Sequence, residues 1–238
     1  AGLVIEGIRK AAGHLRKDLK RSTMAIVGAT GDIGSICTQV FCDEVMKLSL
    51  VARRQAQVQN LVRSLKGRAK INICRSVKEA VGDADIILTA TSSITTLIEA
   101  EDVAAGAVIC DVAIPHNVAT NILEARKDIF AFEGGLAKVP RPIKVDSERW
   151  WGELSSDGRT VYGCLAETML LALEERWENF SIGRGRIKKE AVTEIMDMGR
   201  KHGFELADFQ YRGEVVNLGL GENGNPSPSA AQVTAAVA

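Results

Sequence analysis

The chain carries no excess of either charge, with 30 Lys and Arg residues against 30 Asp and Glu residues over 238 positions. A balanced surface gives no long-range pull toward nucleic acid or an anionic membrane, so neither is expected as a partner. No apolar run approaches the roughly 20 residues of a membrane span, so no transmembrane segment is expected. The first stretch, "AGLVIEGIRKAAGHLRKDLK", spreads its basic residues along its length, unlike a signal peptide. The five cysteines (Cys37, Cys42, Cys74, Cys110, Cys164) are odd in number and include no C-x-x-C pair. That argues against a fully paired disulfide set and against the usual metal-ligand spacing, so no metal is expected. Free thiols fit a reducing compartment, and the chain is read as cytoplasmic. There is no internal repeat.

What is present is a regular alternation. Val4, Ile8, Ala12, Leu15 and Leu19 share one face of a first helix, within residues 1–22. Six short apolar runs follow: "TMAIVG", "KLSLVA", "KINICR", "ADIILTATS", "GAVICDVA" and "DIFAFEGG". They alternate with helix-like stretches such as "DIGSICTQVFCDEV" and "RQAQVQNLVRSLKG". Alternation of this kind predicts an α/β protein, a Rossmann-like doubly wound parallel sheet with extra helices at both ends. The dinucleotide-binding domain is placed at residues 23–150 and a C-terminal helical segment at 151–210, with helices near 163–180 and 187–202. The Gly-, Pro-, Ser- and Ala-rich end, 211–238, has little to bury and is expected to be a flexible tail or one pinned by a neighbour.

The stretch "AIVGATGDIG" sets three glycines at intervals of three between a strand and a helix. Gly28 makes the tight turn, Gly31 lets the backbone approach a pyrophosphate, and Gly34 lets the helix pack on its strand. Gly28, Ala29, Thr30, Gly31, Asp32, Ile33 and Gly34 are therefore assigned to a dinucleotide. The residue that meets the adenosine ribose ends the second strand, and an acid there selects NAD. This chain has Arg53 and Arg54 instead, and planar guanidinium groups suit the 2′-phosphate of NADP(H). Thr91 and Ser92 in "TATSS" lie at the same crevice; they bond the cofactor or else cap a following helix. Ala113, in the loop after the fifth run, is counted with the cofactor-contacting residues.

Several segments together resemble the cyanobacterial-type long-chain acyl-(acyl-carrier-protein) reductases, which make fatty aldehydes with NADPH. They are "VGATGDIGS", "LVARRQAQVQNL", "CDVAIPHNVAT", "FEGGL" and, above all, "CLAETMLLALEERWENFSIGRGRI" followed by "KHGF". The resemblance implies that Cys164 takes the acyl group from an acyl carrier protein or acyl-CoA as a thioester. It also implies a further N-terminal substrate region that this chain lacks, so the chain is read as a fragment of such a reductase or as its cofactor domain alone. Where the family has lysine, this chain has His116, which is left without an assigned acid or base role. A homo-oligomer is left open.

The residues give their own reason to single out Cys164. It shares a polar face with Thr168 and Glu175, while the apolar stripe of its helix runs Leu165, Met169, Leu173 and Phe180. A helix N-terminus stabilises a thiolate, the form that attacks an acyl carbonyl. The other four cysteines fall in or beside the sheet and its first helix and look structural. Two alternatives stay open. "TATSS" and "DVAIP" are also similar to the cofactor domains of shikimate dehydrogenases and glutamyl-tRNA reductases, and a non-catalytic NADP-binding module would show the same loops.

Overall fold

A computed structural model describes residues 1–143, 158–181, 187–220 and 226–234. Helix α1 (Gly2–His14) leads into β1 (Thr23–Val27), α2 (Asp32–Phe41), β2 (Lys47–Val51), α3 (Gln55–Ser64), β3 (Lys70–Ile73), α4 (Val77–Val81) and β4 (Ile86–Thr89). Then come β5 (Val108–Asp111), α5 (Ile122–Ala125) and β6 (Phe130–Glu133). These six strands form one parallel sheet in the order β3-β2-β1-β4-β5-β6, the doubly wound arrangement expected from the alternation. Each of the six apolar runs supplied one strand.

Every residue of β1, β4 and β5 is buried, as helices on both faces require, and their continuous Val and Ile runs follow from that double covering. Val4 and Ile8 of α1 enter the same core. At Gly7 an added Cβ would come within 3.1 Å of the Phe132 ring, so the helix lies close on the β6 side of the sheet.

After β6 the chain builds a smaller layer. Strands β7 (Leu136–Lys138), β8 (Thr160–Tyr162) and β9 (Glu205–Leu206) make a second, antiparallel sheet with β7 in the middle. Helices α6 (Gly163–Leu173) and α7 (Lys189–Lys201) share a core with it through Ala166, Leu170, Met198 and Phe204. The boundary drawn at 150/151 lies outside the described residues.

Three local expectations change. The helix expected over 163–180 ends at Leu173, because Glu175 takes φ +55 and turns the chain left-handed. Arg176 N then donates to Leu171 O at 2.8 Å and Glu175 N to Ala172 O at 3.1 Å, the paired bonds of a Schellman ending. The apolar stripe shifts as well: Ala166, Leu170 and Leu171 are buried, Leu165 and Met169 half-buried, and Leu173 is exposed. The end of the chain is not simply a tail. Strands β10 (Gln210–Tyr211), β11 (Glu214–Leu220) and β12 (Pro226–Thr234) pair antiparallel. A ladder satisfies backbone groups whatever the side chains bury, so a Gly- and Ser-rich composition does not forbid it.

Candidate active site

The strand order reverses between β1 and β4, and in open α/β sheets a ligand crevice lies outside the carboxyl ends of the strands at that point. The structure has a cleft of about 1420 Å³ there. Gly28, Thr30, Gly31 and Asp32 line it from the first turn, Arg53 and Arg54 from the end of β2, and Thr91 and Ser92 from the loop after β4. Eight of the sequence-assigned residues are thus brought to one cavity. Ala29, Gly34 and Ala113 are buried outside its lining, Ile33 is half-buried outside it, and Cys164 stands apart from it.

The three glycines separate by what requires them. Gly28 has φ +89, and a Cβ there would lie 2.3 Å from Ala90 O, so the turn and the close approach of the β4 loop both need it. A Cβ at Gly34 would lie 2.2 Å from Gly28 O, so this glycine sets α2 against its strand. Gly31 differs. Its φ is −74, open to any residue, and an added Cβ would meet nothing nearer than 3.4 Å. The fold itself does not demand glycine at position 31; a ligand lying against the backbone would. No side chain caps the N-terminus of α2, which leaves its first-turn N–H groups for an anion. The cradle therefore fits a pyrophosphate.

The charge pattern fits a dinucleotide with one further phosphate. Arg53 and Arg54 are exposed and have no carboxylate or hydrogen-bond partner for their guanidinium groups among the described residues, and Asp32 is the one acid among the described lining residues. Thr91 Oγ1 accepts from Ser93 N at 2.9 Å and shapes the loop. No helix follows until a short turn at Ala100–Asp102, so the helix-capping reading of Thr91 and Ser92 falls away.

Beside the cleft is a cluster that sequence reasoning missed. Thr89, Asp111 and Glu133 end β4, β5 and β6 and stand side by side in the parallel register. Thr89 Oγ1 donates to Asp111 Oδ1. His116, from the loop after β5, lies between the two acids, with Nδ1 3.2 Å from Asp111 Oδ2 and Nε2 3.2 Å from Glu133 Oε1. Hydrogen bonding to Asp111 first and to Glu133 second raises the imidazole to about 9 against the opposing effect of burial, so both ring nitrogens donate. Burial pushes Glu133 up, but bonds from His116, Gln210 and Arg212 N outweigh it and hold the carboxyl below its usual range. The signal was available: "IILT", "VICD" and "FAFE" each close an apolar run on a polar residue. Asn117 Nδ2 donates to Ser93 O at 2.9 Å and Thr95 O at 3.1 Å, which ties the His116 loop to the loop lining the cleft.

Cys164 is the second residue of α6, whose N-terminus no side chain caps. Gly163 N donates to Gly135 O at 2.7 Å, which sets that helix end just beyond the end of β6. Cys164 is exposed, and Cys37, Cys42, Cys74 and Cys110 are buried. Burial raises the thiol of Cys37 to about 12 and that of Cys110 well above its usual value. Among the described residues there is no group of acids, histidines and cysteines able to hold a metal, and no helix is long and apolar enough to cross a membrane.

The family model for shikimate / quinate 5-dehydrogenase matches residues 10–133. The chain is 31% identical over 209 residues to the long-chain acyl-[acyl-carrier-protein] reductase of Synechococcus elongatus, covering 86% of this chain and 59% of that protein. It is 26% identical over 201 residues to aminotransferase PigE of a Serratia species, covering 83% of this chain and 23% of that one. The chain thus spans less than two thirds of either relative. Among solved structures, the glutamyl-tRNA reductase of Methanopyrus kandleri is similar with a TM-score of 0.47 at 20% identity, over 56% of this chain and 35% of that one.

Proposed function

From the premise that the chain belongs to the shikimate / quinate 5-dehydrogenase family, we propose that it is an NADP(H)-dependent oxidoreductase that reduces an acyl thioester to an aldehyde through an acyl-Cys164 intermediate. The observation that carries the thioester reading is Cys164 itself: of five cysteines it alone is exposed, and it stands at an uncapped helix N-terminus. The likeness to the Synechococcus reductase supports the same reading and makes acyl carrier protein the expected carrier, with acyl-CoA as the smaller donor. The protein is expected in the cytoplasm.

In this reading Gly28, Gly31 and the first turn of α2 hold the pyrophosphate, and Arg53 with Arg54 holds the 2′-phosphate. NADPH, when bound there, would supply the hydride that reduces the acyl carbon. Cys164 does the covalent work on either side of that transfer. Its thiolate attacks the thioester carbonyl, the carrier sulfur leaves as a thiol after taking a proton, and a new thioester joins the acyl group to the enzyme. Once the acyl carbon is reduced, the C–S bond breaks, the aldehyde departs and Cys164 is regenerated.

A second reading rests on the family match and on the loops "TATSS" and "DVAIP": an NADP oxidoreductase of the shikimate dehydrogenase or glutamyl-tRNA reductase kind, working without Cys164. Acyl-CoA and acyl carrier protein donors offered with NADPH distinguish the two. We expect aldehyde, a thioester adduct on Cys164 by mass spectrometry, and loss of both in Cys164→Ala. Undiminished aldehyde in that variant, or an adduct on another cysteine, removes the acyl-cysteine mechanism. NADPH binding with no product from any acyl donor leaves the second reading or a purely NADP-binding module.

A further inference from the structure

Arg75 follows β3 as Arg53 and Arg54 follow β2, and the two strands are adjacent and parallel, with Leu50 opposite Ile73 in their register. Cys74 N donates to Leu50 O at 2.9 Å, so the two chains leave the sheet edge side by side. Arg75 is exposed and lines the same cleft as Arg53 and Arg54, from the other side of that edge. Its backbone N–H is taken by Glu79 Oε2 at 2.8 Å, but no described residue pairs with its guanidinium. Elsewhere Arg9, Arg126, Arg176 and Arg200 are each held by a carboxylate. Three cations without a partner for their guanidinium groups among the described residues stand in one cleft, and they repel each other until a multiply charged anion enters. A phosphate monoester, near −2 at neutral pH, is that anion, and its several oxygens accept bonds from more than one direction.

We propose that Arg75 is a third arm of the site for the adenosine 2′-phosphate, meeting it from the β3 side while Arg53 and Arg54 meet it from the β2 side. The inference rests on the dinucleotide reading above and extends it: selection of NADP(H) over NAD(H) is shared by two strands, and a residue some twenty positions beyond the usual selecting position takes part. Arg75 acts on binding and not on the chemical step.

Calorimetric titration of wild type, Arg75→Ala and Arg75→Lys with adenosine 2′,5′-bisphosphate and with 5′-AMP tests this without turnover. Loss of a charge-assisted contact predicts that Arg75→Ala weakens the bisphosphate about tenfold or more and leaves 5′-AMP unchanged. Arg75→Lys, which keeps the charge but not the planar fork, should fall between. Circular dichroism checks that the variants are folded, as an exposed position leads one to expect. Equal weakening of both probes would place Arg75 on the adenine or ribose, and no weakening of either would place it outside the site; both results overturn the proposal. A wild type that binds the two probes equally well overturns the NADP(H) reading beneath it, an outcome seen before any variant is measured.

Discussion

Replacing His116 by glutamine should remove a pH-dependent part of the protein's stability, and its sign and window follow from the cluster. The imidazole is raised from 6.5 to about 9 in the folded chain by its bonds to Asp111 and Glu133. A raised pKa means that the folded state holds the proton more tightly than the unfolded one. The stabilisation is therefore complete below about pH 6.5, declines as pH rises, and is gone above about 9. At ~1.4 kcal/mol per pKa unit the whole shift corresponds to about 3 kcal/mol. Water reaches the ring, which is 23% exposed, and screening lowers the expectation to about 2 kcal/mol. Urea unfolding of wild type and His116→Gln from pH 6 to pH 9.5 should show the stability difference between them shrinking by about that amount. Taking the difference matters. The buried thiols of Cys37 and Cys110 also disfavour folding in alkali, since only the unfolded state can ionise them, but they do so equally in both proteins. The lowered carboxyl of Glu133 acts only at acid pH, below the window. A difference that stays flat from pH 6 to 9.5 would refute the assignment of His116 as the shared cation of the two acids.

The glycine loop makes a paired forecast: Gly31→Val should fold but lose dinucleotide binding by calorimetry, whereas Gly28→Ala should lose stability outright, with a lowered thermal midpoint, because of its φ and the approach of Ala90 O. A Gly31→Val protein that binds NADPH normally would mean the loop is only a turn. Arg53→Ala with Arg54→Ala should cost NADPH about 1.5–3 kcal/mol per charge-assisted contact and spare NADH; equal wild-type affinities for the two cofactors would end that assignment. Leu170→Ala, deep in the small core that seats α6, should cost about 2–5 kcal/mol in urea unfolding, and a loss under 1 kcal/mol would mean that core is looser than its burial implies.

The parallel sheet was legible in the chain alone, because strands covered on both faces are apolar along their length and six apolar runs alternate with helical stretches. The sequence also marked the glycine cradle, the pair Arg53 and Arg54, and the exposed cysteine, since each rests on a local rule: a turn conformation, a strand end, a helix face. Tertiary structure alone decided what depends on register between distant segments. Arg75 joins Arg53 and Arg54 only because β3 lies beside β2, and Thr89, Asp111 and Glu133 become one cluster only because β4, β5 and β6 end level. His116 has no assigned role in the sequence, and only the fold puts a carboxylate on each of its nitrogens. The helix that carries Cys164 ends earlier than its composition predicts for a related reason: its stop is a single backbone reversal at Glu175 that no side-chain pattern announces. Periodicity reports what one segment buries, whereas charge pairing and chain reversal are settled by which segments the core brings together.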